Sequence, residues 1–363
     1  MSQYPPVHYA DYLKVDHLLS AQSPKSDEYG KHAHDEMLFI IIHQVYELWF
    51  KQILHEMDSV TGMFKNEKVD EVNIGIAVSR LDRIVEIQKV LIDQIKVLET
   101  MTPLDFLDFR NFLIPASGFQ SFQFRLIENK MGLKPDQRLD YNKHPYHTRF
   151  AKDQQEILLN LEKENSLFEL VEKWLERTPF LDLHEFNFMK VYRDAVTRMM
   201  ESDKEIIQSN PVLADDEKKM QLQMLTGTEE NFNSIFDSKI HDQLIKDGQR
   251  RLSYKATLAA LFINLYRDEP ILHLPFKLLS TLVEIDENFN LWRYRHSLMV
   301  LRMIGRKIGT GGSSGHQYLK ATAEKYKIFD DLFNLSTFLI PRTELPGLPN
   351  ELKKMLGFYY SFR

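Results

Sequence analysis

Two histidines set in apolar stretches, His43 in FIIIHQVYELWFKQ and His296 in NLWRYRHSLMVLRMIG, are the residues of this chain best suited to chemistry. An imidazole among Ile, Trp and Met side chains must find a hydrogen-bond partner, carry a proton at a cost, or give its lone pair to a metal. Phe39 stands four residues before His43 and Trp292 four before His296, so on helices each histidine shares a face with an aromatic ring, as a pocket wall would. The same spacing serves a core histidine bonded to a nearby carbonyl, and spacing alone favours that reading for each.

Other groups widen the choice. His296 is followed on its own face by Met299, Val300 and Met303, an apolar shell that also suits one axial imidazole on a haem iron whose opposite side stays open. Arg125, in SGFQSFQFRLIENK, is the only cation among several aromatic residues. A guanidinium there needs an anion, and its planar fork fits a carboxylate, either of a ligand or of an internal partner such as Glu128. The run Gly309-Thr310-Gly311-Gly312-Ser313-Ser314-Gly315 lacks the lysine that ends a phosphate-binding loop, since His316 follows its last glycine. Close backbone approach to a ligand or a moving lid fits it better, with a plain linker as the alternative. His32, His34, Asp35 and Glu36 offer metal-ligating types, but the acids there are explained by a helix start. His144 and His147 fall in a polar stretch and are expected to be exposed.

The elements that carry these residues read as helices. From Asp35 to about Phe64 the apolar positions Leu38, Ile41, Ile42, Val45, Leu48, Trp49, Ile53 and Met57 follow three-and-four spacing, which predicts one long helix with a buried stripe. Val69 to Met101 repeats the pattern through Ile74, Val78, Leu81, Val85, Ile92 and Ile95, with Gln88 the one polar step. Thr102-Pro103-Leu104-Asp105 and Ser166-Leu167-Phe168-Glu169 are helix starts by their capping residues. Gly132 is expected to end a helix beginning near Ser117, with Pro135 preventing continuation. Leu133 to Phe150 reads as a long surface connection, and about 200–251 as a charged, solvated helical hairpin accessory to the rest. No run has the alternation of a strand, so the expected fold is an all-α helical bundle, one domain over residues 1–363, with an extended N-terminal segment.

Composition narrows the function. The 363 residues, 43% of them hydrophobic, suffice for a substantial core, and a net charge of -6 without a basic face argues against nucleic acid. With no cysteine, disulfides, thiolate nucleophiles and thiolate-held metals are excluded. No apolar stretch approaches the roughly 18 residues of a membrane span, and the N-terminus lacks the basic-then-apolar order of a secretion signal, so a soluble cytoplasmic protein is expected.

The stretches HDEMLFIIIHQVYELWFKQILHEMDSV, LETMTPLDFLDFRNFLIPASGFQSFQFRLIENK, LWRYRHSLMVLRMIG and GTGGSSG, in that order, resemble the tryptophan 2,3-dioxygenase family over about Tyr9 to Pro341. The resemblance implies a haem b enzyme that opens the indole ring of L-tryptophan with O2 to give N-formylkynurenine, the first step of tryptophan catabolism by the kynurenine pathway. It implies that His296 is the axial ligand of the haem iron and His43 the distal catalytic histidine near the indole nitrogen. Arg125 then pairs with the substrate carboxylate, Thr310 contacts the amino-acid end, and Phe39 is a wall of the indole pocket. Tyr9 and Tyr12 are implied to reach a neighbouring subunit's site, in a homotetramer that exchanges N-terminal segments. Two alternatives stand beside this: a haem oxygenase of another indole derivative, and a non-catalytic helical interaction protein whose apolar histidines are core.

Overall fold

A computed structural model of the chain describes residues 4–139, 145–183, 186–307, 309 and 315–357. Its frame is three long helices, Glu36–Phe64, Glu71–Leu98 and Pro270–Ile304, and the middle one packs against both others. The stripe expected on Glu71–Leu98 is buried at Ile74, Val78, Leu81, Val85, Ile92 and Ile95. Each fully buried aliphatic side chain of this kind contributes about 1.5–3 kcal/mol of transfer free energy. Gln88 is buried within it, and its amide donates to the carbonyl of Ile285 at 2.9 Å, directly bridging two helices of the frame.

The caps appear where their residues predict. Thr102 and Asp105 exchange bonds at the start of Pro103–Arg110, and Ser166 and Glu169 do so at Leu167–Glu176. Gly132 ends Phe122–Met131 in the left-handed region at φ 119°. That helix starts later than Ser117, because Ser117 caps a separate turn at Gly118–Gln120 and Ser121 caps the helix itself. A further short helix, Gly315–Lys325, lies against Pro270–Ile304.

Three expectations need correction. On Glu36–Phe64 the stripe is wider than the core it meets, so Ile41 and Leu48 stay exposed at 42% and 52% while Ile42, Ile53 and Met57 are buried. The connection after Gly132 is not wholly a surface one: Leu133, Arg138 and Phe150 are buried, and a turn at Pro135–Gln137 swings Arg138 inward. One short antiparallel pair, Asp182–Leu183 with Phe186–Asn187, interrupts an otherwise helical chain. The charged region forms Phe188–Ser209, Asp215–Phe236 and Ser238–Lys246, tied down by buried Met200, Phe232 and His241. Among the described residues no helix is long and apolar enough to cross a membrane.

Candidate active site

The long helices converge on a cavity of about 260 Å³ open to water-sized molecules, and its wall includes Phe39, His43, Arg125 and His296. Neither histidine is ordinary core, the reading that spacing alone favours. Glu36–Phe64 supplies Phe39, His43 and Glu47 at four-residue intervals, so all three share one face. Pro270–Ile304 supplies Trp292, His296, Met299 and Met303, and Phe122–Met131 supplies Phe124, Arg125 and Glu128.

His43 is open at the cavity yet enclosed by protein on its other sides. Burial therefore lowers its pKa from the ordinary histidine value, against a smaller opposing effect of the hydrogen bond to Phe39. Its Nδ1 lies 2.7 Å from the Phe39 carbonyl oxygen, which can only accept, so Nδ1 carries the hydrogen and Nε2 keeps its lone pair. The Phe39 ring stands 4.1 Å from the imidazole, centroid to centroid. Gln123 donates to both the carbonyl oxygen and the carboxylate of Glu47, at 2.8 and 2.9 Å, and so fastens the helix of His43 to that of Arg125.

His296 stacks on Trp292 at 5.5 Å and makes no hydrogen bond among the described residues. Burial, with a further push from nearby His43, brings its pKa down to about 4, which leaves the ring neutral with a lone pair to give. No group of three or more His, Cys, Asp or Glu able to hold a metal occurs among the described residues. A lone neutral imidazole beside Met299 and Met303 would hold an iron whose remaining donors a macrocycle brings, and this donor set therefore suits a haem better than a bare ion.

At the third side of the cavity, Glu128 is buried and shared by three arginines. Its Oε2 accepts from Arg125 Nη1 at 2.7 Å and Arg138 Nη1 at 2.6 Å, and its Oε1 from Arg293 Nη2 at 3.1 Å. Burial by itself would raise the carboxyl, but Arg125, Arg138 and Arg293 outweigh it and hold it at about 2. Arg125 thus has the internal partner among the alternatives: one edge of its fork meets Glu128, while its buried Nε has no hydrogen-bond partner among the described residues.

Not every expected residue reaches this place. Thr310 lies outside the described residues, though Gly309 and Gly315 on either side of it line the cavity. Tyr9 and Tyr12 sit on a short helix, Tyr9–Leu13, at 78% and 75% exposure and do not line the cavity of their own chain. His32 bonds Asp27 at the surface, and His144 lies outside the described residues. Sequence reasoning missed Arg293 and Arg138. Arg293 left a signal, a cation three residues before His296 on an apolar helix; Arg138, in a polar connection, left none.

A family model described as tryptophan 2,3-dioxygenase matches residues 2–339. The chain is 54% identical over 358 residues to a tryptophan 2,3-dioxygenase of Bdellovibrio bacteriovorus, covering 99% of this chain and 100% of the relative. It is 49% identical to one of Dictyostelium discoideum, over 98% of this chain and 89% of that one. A third relative of that name, from Xenopus laevis, is also 49% identical, over 96% and 86% of the two chains.

Proposed function

The chain belongs to the tryptophan 2,3-dioxygenase family, and on that premise we propose that the cavity between His43 and His296 is where it opens the indole ring of L-tryptophan with O2. The product is N-formylkynurenine, and the reaction is the first step of tryptophan catabolism by the kynurenine pathway. Family membership implies a haem cofactor; the finer assignment, haem b whose iron His296 would hold, is supported by the neutral imidazole in its apolar shell, which makes no hydrogen bond among the described residues. The haem iron, when bound, supplies the site at which dioxygen becomes reactive.

The chain's own residues bind and orient. The indole N–H donates to His43 Nε2, the ring lies against Phe39, and the carboxylate meets Arg125, so both ends of one substrate are fixed. His43 need not remove a proton, because its depressed pKa suits a neutral acceptor rather than a strong base. Thr310 is assigned to the amino-acid end by the family resemblance alone. The observation that carries the reading is the meeting of His43, His296 and Arg125 in one cavity. Haem-loaded, reduced protein given L-tryptophan and O2 should gain the near-ultraviolet absorbance of N-formylkynurenine, and failure to do so refutes it. Neither a substrate without a carboxylate nor a non-catalytic role has support, since the family acts on tryptophan, which carries one, and a non-catalytic role leaves the cavity unexplained.

The assembly belongs to the same proposal. Ile41 and Leu48, Val90 and Val97, and Leu291 and Leu298 are all exposed at seven-residue spacing, giving each long helix an uncovered apolar stripe. Neighbouring copies in a cytoplasmic homotetramer would cover such stripes, with Tyr9 and Tyr12 reaching the adjacent site. Light scattering should give four chains, and Leu48→Asp should lower that number.

A further inference from the structure

We propose that Glu128 and Arg138 are positioning residues that fix the plane of the Arg125 guanidinium, and through it the preference of the cavity for a substrate carrying a carboxylate. This rests on the reading of Arg125 as the carboxylate anchor. A guanidinium on a flexible stem forms a paired contact with a carboxylate only when its plane is held, because both bonds of the fork depend on one orientation. The hold on Arg125 comes through Nη1 and Glu128 Oε2, at 2.7 Å.

Glu128 in turn is braced from outside the cavity. Arg138 does not line it, yet gives Nη1 to the same Oε2 at 2.6 Å. Its other arm, Nη2, reaches Asn129 Oδ1 at 2.6 Å, and its guanidinium carbon lies 4.0 Å from the Tyr146 ring centroid. Tyr146 accepts from Asn129 at 2.8 Å and donates to Glu162 at 2.5 Å, so the brace runs from the cavity wall to the connection after Gly132. Arg293, from the helix of His296, steadies Oε1. Three guanidinium groups share one carboxylate in a buried place, and a second carboxylate, the substrate's, relieves the excess of positive charge.

Arg138→Lys tests this at a distance, since it keeps the charge and removes the two-armed geometry without touching the cavity wall. On haem-loaded protein, KM for L-tryptophan should rise at least tenfold with kcat little changed. Binding of tryptamine, which lacks the carboxylate, read from the Soret shift, should move less than twofold. Equal losses for both ligands mean a merely structural role and overturn the proposal, as does no change for either. Glu128→Asp, which keeps the charge and shortens the reach, should show the same split and serves if the lysine variant does not fold. Wild-type protein that binds tryptamine as tightly as L-tryptophan would instead remove the carboxylate-anchor reading itself.

Discussion

Replacing His43 by Ala isolates the bond on which orientation of the indole depends. Because Nδ1 is committed to the Phe39 carbonyl at 2.7 Å, Nε2 is the only nitrogen left to accept from the substrate. Loss of that acceptor strands the indole N–H of the enclosed substrate, at a cost of about 1–3 kcal/mol. That corresponds to roughly a 5- to 150-fold fall in kcat/KM. A substrate analogue in which a furan oxygen replaces the indole N–H makes the measurement specific. Wild type should discriminate against it by that factor, and His43→Ala should treat the two substrates nearly alike while keeping its Soret band. The pH profile gives a second reading. His43 has a pKa lowered by burial, so it stays neutral at and below the ordinary histidine value and gains its proton only on the more acid side. Protonated Nε2 donates and cannot accept, so kcat/KM should fall as pH drops, and His43→Ala should lack that limb. An alanine variant that retains the wild-type preference for the N–H substrate, or that loses haem, refutes the reasoning.

Three other outcomes follow from the same geometry. His296→Ala should lose or greatly weaken haem binding while far-ultraviolet circular dichroism stays helical; a wild-type Soret band in that variant would sink the axial assignment. Glu128, held at about 2 against an ordinary 4.5, binds fewer protons folded than unfolded. Its contribution is therefore complete above about pH 4.5 and fades as pH falls toward 2, a total of about 3 kcal/mol. Urea unfolding of wild type over that range should be steeper in pH than that of Glu128→Gln, and equal slopes count against the pairing. Gly132→Ala places a Cβ 2.8 Å from both Ser166 Oγ and Phe168 Cβ at φ 119°, so it should cost more than about 1 kcal/mol. An unchanged thermal midpoint would contradict this.

Much of the frame was legible because periodicity and caps are local properties. The stripe of Glu71–Leu98 and the Thr102 and Ser166 starts needed only neighbours within a turn or two. Exposure of Ile41 and Leu48 was not legible, since apolar spacing records which face is hydrophobic and not what covers it. The site divides the same way. Spacing put Phe39 beside His43, but only the crossing of helices far apart in sequence put His43 and His296 around one space and changed both from core to cavity wall. Arg138 stayed hidden because a polar, irregular stretch gives no periodicity from which inward direction can be read.

The buried amide of Gln88 acts, with the buried hydroxyl of Thr281, as an index mark between two largely apolar surfaces. Leucine against isoleucine tolerates sliding, whereas the bonds from Gln88 to the Ile285 carbonyl and from Thr281 to Asp82 Oδ1 are satisfied together at a single alignment. A slip of one turn would carry the whole Pro270–Ile304 helix about 5.4 Å along its axis. His296 lies eleven residues beyond Ile285, about 16 Å along the same rigid rod, and would travel by the full step. Polar side chains in the middle of the frame thus set the address at which the imidazole arrives, well away from any chemistry of their own.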